Sequence, residues 1–144
     1  MQQSTKLSTC EILEQFNQNL EVKEEDIDFI NKKELRNELS VRILESFRSM
    51  TKFAEACGIQ VSHLNDFLND KKGFRRNRML IVCITLKMSI QETQDALKYF
   101  EHPPLHPKNK RDYLILNGIR QKLSWQEIDS ILTDNGYKSL TARE

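Results

Sequence analysis

Gln60, Ser62, His63 and Asn65 fall within one short stretch, and five cations follow: Lys71, Lys72, Arg75, Arg76 and Arg78. Gln and Asn each carry a donor and an acceptor that match the major-groove edge of adenine. Ser bonds either partner, and His reaches a base or a phosphate. Lys and Arg neutralise phosphate oxygens and hold a protein on a duplex without reading its sequence. The chemistry these residues can do together is recognition of double-stranded DNA. The opposing reading is a polar helix face solvated by water, followed by a solvated basic loop. Asp66 sharpens the opposition, and Asp70 lies close by. A carboxylate facing phosphates is repelled unless it accepts from a cytosine amino group.

Two short helices must position these groups. In TKFAEACGIQVSHLNDFLN, residues 51–69, Ala54 supplies the small residue that a close helix crossing needs. Gly58 ends the first helix and takes a left-handed backbone easily. Phe53, Cys57, Ile59, Leu64 and Phe67 close the core between the two helices. Leu64 and Phe67 are three apart and share a face. The spacing predicts a helix-turn-helix, with helices over about 51–57 and 61–69. The second is of the kind that enters a major groove. An ordinary helical hairpin fits the same spacing.

Other chemistry finds less support. His102 and His106 are four apart, but the prolines of HPPLHP separate them, so no helical face aims both at one ion. No carboxylate or thiol completes a metal set, and neither metal nor cofactor is expected. There is no glycine-rich phosphate loop, no G-x-S-x-G elbow and no Cys–His pair in a recognisable context, so an enzyme is not expected. Lys108, Lys110, Arg111, Arg120 and Lys122 form a second basic cluster. It reads as a normal surface helix, with Arg111 and Asp112 tying down the proline loop. Cys57 and Cys83 sit in apolar runs as small core residues, and Cys10 is open to exposure. Three cysteines, an odd number, are not a disulfide framework.

The 144 residues suit one domain with an appended segment. No stretch is long and apolar enough for a membrane span, and the first residues lack a signal peptide's apolar core. The expected location is the cytoplasm. Net charge is only +1, but it is polarised. Residues 1–58 hold 8 Lys+Arg and 11 Asp+Glu, whereas residues 59–144 hold 14 and 10.

Apolar periodicity and capping signals then divide the chain. An acidic helical segment covers 1–31, with Ser8 and Glu11 as a capping box before Ile12, Leu13, Phe16 and Leu20. Residues 32–100 form the helix-turn-helix domain, and its first helix carries Leu35, Leu39, Ile43, Leu44 and Phe47. MLIVCITL, 79–86, is as apolar as a buried strand or a buried helix. Helix is preferred because no second strand exists to pair with it. Ser89 with Glu92 and Ser124 with Glu127 open two more helices. Residues 101–144 form a C-terminal helical hairpin packed on the domain, with Tyr113, Leu114, Leu116 and Ile119 as candidate core and Asn135-Gly136 as its stop. The expected fold is all-α, a repressor-like helix-turn-helix bundle extended at both ends, with seven or eight helices.

The order of residues from 50 to 140 resembles the Cro/repressor type of bacterial helix-turn-helix protein. Its C-terminal part resembles an extended branch of that family from Gram-positive bacteria. The branch carries an L-x-x-E-T-Q-x-x-L helix, here Ile90, Glu92, Thr93, Gln94 and Leu97. A P-L-x-P-x-x-x-R-D segment follows, here Pro104, Leu105, Pro107, Arg111 and Asp112. An L-S-x-x-E ending closes it, here Leu123, Ser124 and Glu127 with Leu132 and Gly136. The resemblance implies a DNA-binding transcriptional regulator. The segment after the second helix departs from the branch: KKGFRRNRM lacks the usual proline.

Partners left open by the residues are double-stranded DNA, a second copy in a homodimer, and another protein. Trp125, Tyr137 and Leu140 are of types more often found in a core than in a contact; they, or the helix at 9–20, could equally supply the surface for a copy or a protein partner. The rival function is a helical protein–protein adaptor that kept this fold but lost sequence-specific DNA binding.

Overall fold

The computed structural model describes residues 6–29 and 31–142. Among them are eight α-helices and no strand, so the fold is all-α. The chain divides into two compact units between Asn31 and Lys32.

The first unit holds α1 (Thr9–Asn17) and a 3-10 turn at Glu24–Asp26. The capping box closes α1: Glu11 N–H donates to Ser8 Oγ, and Ser8 N–H donates to the Glu11 carboxylate. Leu7 N–H donates to Asp26 O at 2.9 Å, and the Lys6 ammonium donates to Glu25 O. None of the described residues of this unit is buried. Leu13 and Phe16, on one face of α1, are 56% and 54% exposed.

The second unit contains α2 (Lys32–Phe47), α3 (Met50–Cys57), α4 (Val61–Leu68), α5 (Arg76–Thr85), α6 (Ile90–Tyr99), α7 (Lys110–Arg120) and α8 (Trp125–Asp134). The run at 79–86 is helical, and its apolar composition has a spatial reason. Met79 through Ile84 are all buried because α5 packs against α3, α6 and α8 and has no solvent side there. Helices α7 and α8 pack as a hairpin on that centre. Their crossing is close: a Cβ at Gly118 would stand 2.5 Å from Ile128 Cγ1. Ile115, Ile128, Leu132 and Leu140 from this end share one core with Ile43, Phe53, Leu64 and Phe67.

Local signals do what their chemistry requires. Ser89 with Glu92 and Ser124 with Glu127 form reciprocal capping boxes, while Ser49 and Asn109 cap α3 and α7. Gly136 takes φ 83° after α8. Two expected core residues lie outside: Tyr113 is exposed where Lys110 covers its ring, and Leu44 faces solvent on α2. The prolines lie in an irregular segment between α6 and α7. There Gln94 donates to Leu105 O and accepts from Leu105 N–H, both at 2.7 Å.

Candidate nucleic-acid interface

Helices α3 and α4 are eight residues each and pack together across the turn Gly58-Ile59-Gln60. Gly58 has φ 70°, in the left-handed region, and its N–H donates to Glu55 O. Ile59 N–H donates to Ala54 O at 2.9 Å and completes the stop. Phe53, Ala54 and Cys57 of α3 meet Leu64 and Phe67 of α4 in the core. The turn is braced from far along the chain: Trp125 Nε1 donates to Ala56 O at 2.8 Å, and its ring would lie 3.5 Å from a Cβ at Gly58.

With Leu64 and Phe67 turned inward, Val61, Ser62 and Asn65 face solvent, and Gln60 is exposed at the N-cap. The Gln60 side chain makes no capping bond to the first turn of α4.

The far end of α4 is held by aromatic packing. Phe67 stacks on Phe74 with ring centroids 4.2 Å apart, and Phe100 tilts against it at 5.2 Å. The Arg36 guanidinium lies over both Phe67 and Phe100 and pairs with Asp70 at 3.1 Å. Asp70 is therefore neutralised by a cation 34 positions earlier in the chain, which weakens its objection to phosphate. Asp66 is half-buried, and its backbone carbonyl accepts from Lys71 and Lys72 N–H at 2.7 and 3.3 Å. That turn leaves Lys71 and Lys72 exposed just beyond α4, with Arg75 exposed at the N-cap of α5.

His63 and Arg78 form a pair. An Arg78 guanidinium N–H donates to His63 Nδ1 at 2.9 Å, while the guanidinium lies 5.9 Å from the centre of the Phe74 ring. Arginine can only donate, so Nδ1 must accept, and the neutral imidazole carries its proton on Nε2. Nε2–H is then the donor of the ring.

Arg76 is corrected from the sequence expectation. Its guanidinium pairs with buried Asp112 at 3.2 Å and donates to Pro103 O and Pro104 O at 2.9 and 3.2 Å. Asp112 also accepts from His106 N–H at 2.9 Å. Arg76 is a clamp on the proline segment, and none of that charge is left for phosphate. Arg111 is also turned away from the role expected of it and donates to Asn77 Oδ1 at 3.0 Å. Asp112 was expected to tie down this segment, but Arg76 was not, because its partners lie 27 to 36 residues away.

Among the described residues, no group of three or more His, Cys, Asp or Glu could hold a metal. None of their helices is long and apolar enough to cross a membrane. No protein-family model matches this chain, and neither a curated protein nor a solved structure matches it.

Proposed function

We propose that this chain is a DNA-binding transcriptional regulator in which α4 enters the major groove. The observation that carries the reading is the outward face of α4 with its flanking cations. Gln60, Ser62 and Asn65 are exposed on the side opposite Leu64 and Phe67, and Lys71, Lys72 and Arg75 follow directly. The Asp70 charge beside them is met by Arg36. His63, with Nε2–H as its donor, suits a guanine N7 or O6 or a thymine O4. The resemblance of residues 50–140 to Cro/repressor proteins points the same way.

The test is selection from a random duplex pool at two salt concentrations. An enriched palindrome is expected, with binding that weakens steeply as salt rises. Absence of binding at low salt would overturn the reading.

A second reading has its own support. The exposed apolar face of α1 suits an adaptor that binds another protein. Failure to be retained on heparin, with one protein co-purifying in stoichiometric amount, would favour it.

A further inference from the structure

The starts of α5 and α7 are tied together by two side chains. Arg76 reaches Asp112 at 3.2 Å, and Arg111 donates to Asn77 Oδ1 at 3.0 Å. Their ends are also close, because the Lys87 ammonium donates to Lys122 O at 3.4 Å. The two helices therefore run in the same sense. Arg75, exposed at the N-cap of α5, immediately precedes Arg76 and so adjoins the corner where α5 and α7 begin. That corner holds an open groove of about 820 Å³, walled by residues 103–107, Lys108 and Arg111. Asp112 is the one carboxylate among the described residues that line it, and it is already taken. It accepts from Arg76 and from His106 N–H. Arg111 donates to a neutral amide, and Lys108 and Lys110 are exposed. Among the described residues none of these three cations is in an ion pair. His106 Nδ1 accepts from Lys108 N–H at 3.0 Å, which makes Nε2–H the donor of that exposed ring.

We propose that this corner is a second phosphate-binding surface for the duplex whose major groove α4 enters, with Lys108 and Lys110 as its phosphate contacts. The inference rests on the DNA reading of α4 and extends it to a part of the chain far from the helix-turn-helix. Lys71, Lys72 and Arg75 are the phosphate cations of that reading, and Arg75 joins them to the new set. The cluster at 108–111, which by sequence is a surface helix, is thus brought by Arg111 and Asn77 to the edge of the α4 interface. An open groove with excess positive charge suits a strand laid across it. A phosphate backbone is held by charge without any reading of base edges. The surface adds affinity and leaves sequence preference to Gln60, Ser62 and Asn65.

The test is binding of the full chain to labelled duplexes over a salt series, read by fluorescence anisotropy. It compares wild type with Lys108→Gln/Lys110→Gln and with Lys87→Gln/Lys122→Gln. The two double variants have the same net charge. The second loses its charges at the far ends of α5 and α7, about 15 Å along each helix. All four lysines are exposed, and circular dichroism checks that both variants fold. Lys108→Gln/Lys110→Gln should bind every duplex about tenfold or more weakly at low salt. Its slope of log affinity against log salt should be shallower by about 2, with the ranking of sequences unchanged. Lys87→Gln/Lys122→Gln should keep the wild-type slope. A wild-type slope in Lys108→Gln/Lys110→Gln, or equal losses in the two double variants, overturns this surface and leaves the DNA reading of α4 standing. A changed ranking of sequences makes the two lysines base readers and overturns it as well. A chain that binds no duplex at low salt overturns both.

Discussion

Arg76 and Arg78 stand two positions apart on α5, yet their chemistry differs. The Arg76–Asp112 pair is nearly withdrawn from water, with side-chain exposures of 17% and 11%. Removing one partner strands a desolvated charge, so Arg76→Ala should destabilise the fold by about 3 kcal/mol. Urea denaturation checks this, and a loss no larger than that of Lys71→Ala would contradict it. Glu92 gives a pH-dependent case. The hydrogen bond from Arg42, at 2.6 Å, and the one from Ser89 N–H hold its carboxyl down at about 2, against 4.5 unperturbed. A depressed carboxylate contributes stability above its unfolded value and loses it as pH falls through the folded one. Arg42→Ala should therefore be less stable than wild type at neutral pH, and the gap should close as pH drops from 4.5 towards 2. Half-exposure of the pair keeps that gap under about 1 kcal/mol. Burial is the main cause that pushes the Cys57 thiol up to about 11 and the Cys83 thiol up to about 12.

Helices start and stop in this chain by different means. Starts were legible in the sequence, because a capping box spans only four residues. Ser8–Glu11, Ser89–Glu92 and Ser124–Glu127 all form. Stops were less legible, since the expected signal is glycine and only Gly58 and Gly136 follow it. Arg48, Asp70, Lys87, Glu101 and Lys122 instead take positive φ after helices α2, α4, α5, α6 and α7. Each side chain bears the left-handed cost that glycine avoids. Lys122→Gly should thus raise stability by up to about 1 kcal/mol, read as a rise in melting temperature. A fall would show that the Lys122 side chain contributes more than its backbone costs. The site was legible to a similar degree. The face of α4 follows from Leu64 and Phe67, three apart, but Arg36–Asp70 and Arg76–Asp112 join residues that only the fold brings together. Local spacing finds exposed cations and cannot tell which of them the rest of the chain has already used.

For the whole chain, charge matters through its distribution, because a net +1 alone would not draw the protein to a polyanion. Residues 1–58 carry a balance of −3 and residues 59–144 one of +4. If Lys71 and Lys72 each displace a counterion from duplex DNA, the double alanine variant should bind all sequences more weakly. The slope of log affinity against log salt should also become shallower by about 2. Asn65→Ala should leave that slope unchanged and relax preference at one base pair. Filter-binding titrations over a salt series separate the two outcomes. A salt slope unaffected by the lysines would point the interface elsewhere on the chain.

Trp125 is the sole tryptophan in the sequence, and its indole is bonded to the last turn of α3 and lies against Gly58. The chain therefore carries an optical label at the bend between its two short helices, without any dye. Its emission should shift when a duplex alters that bend. On heating it should report release of the C-terminal hairpin, separately from loss of helix seen by circular dichroism. Superimposable melting curves from the two probes would mean that brace and bend come apart in one cooperative step.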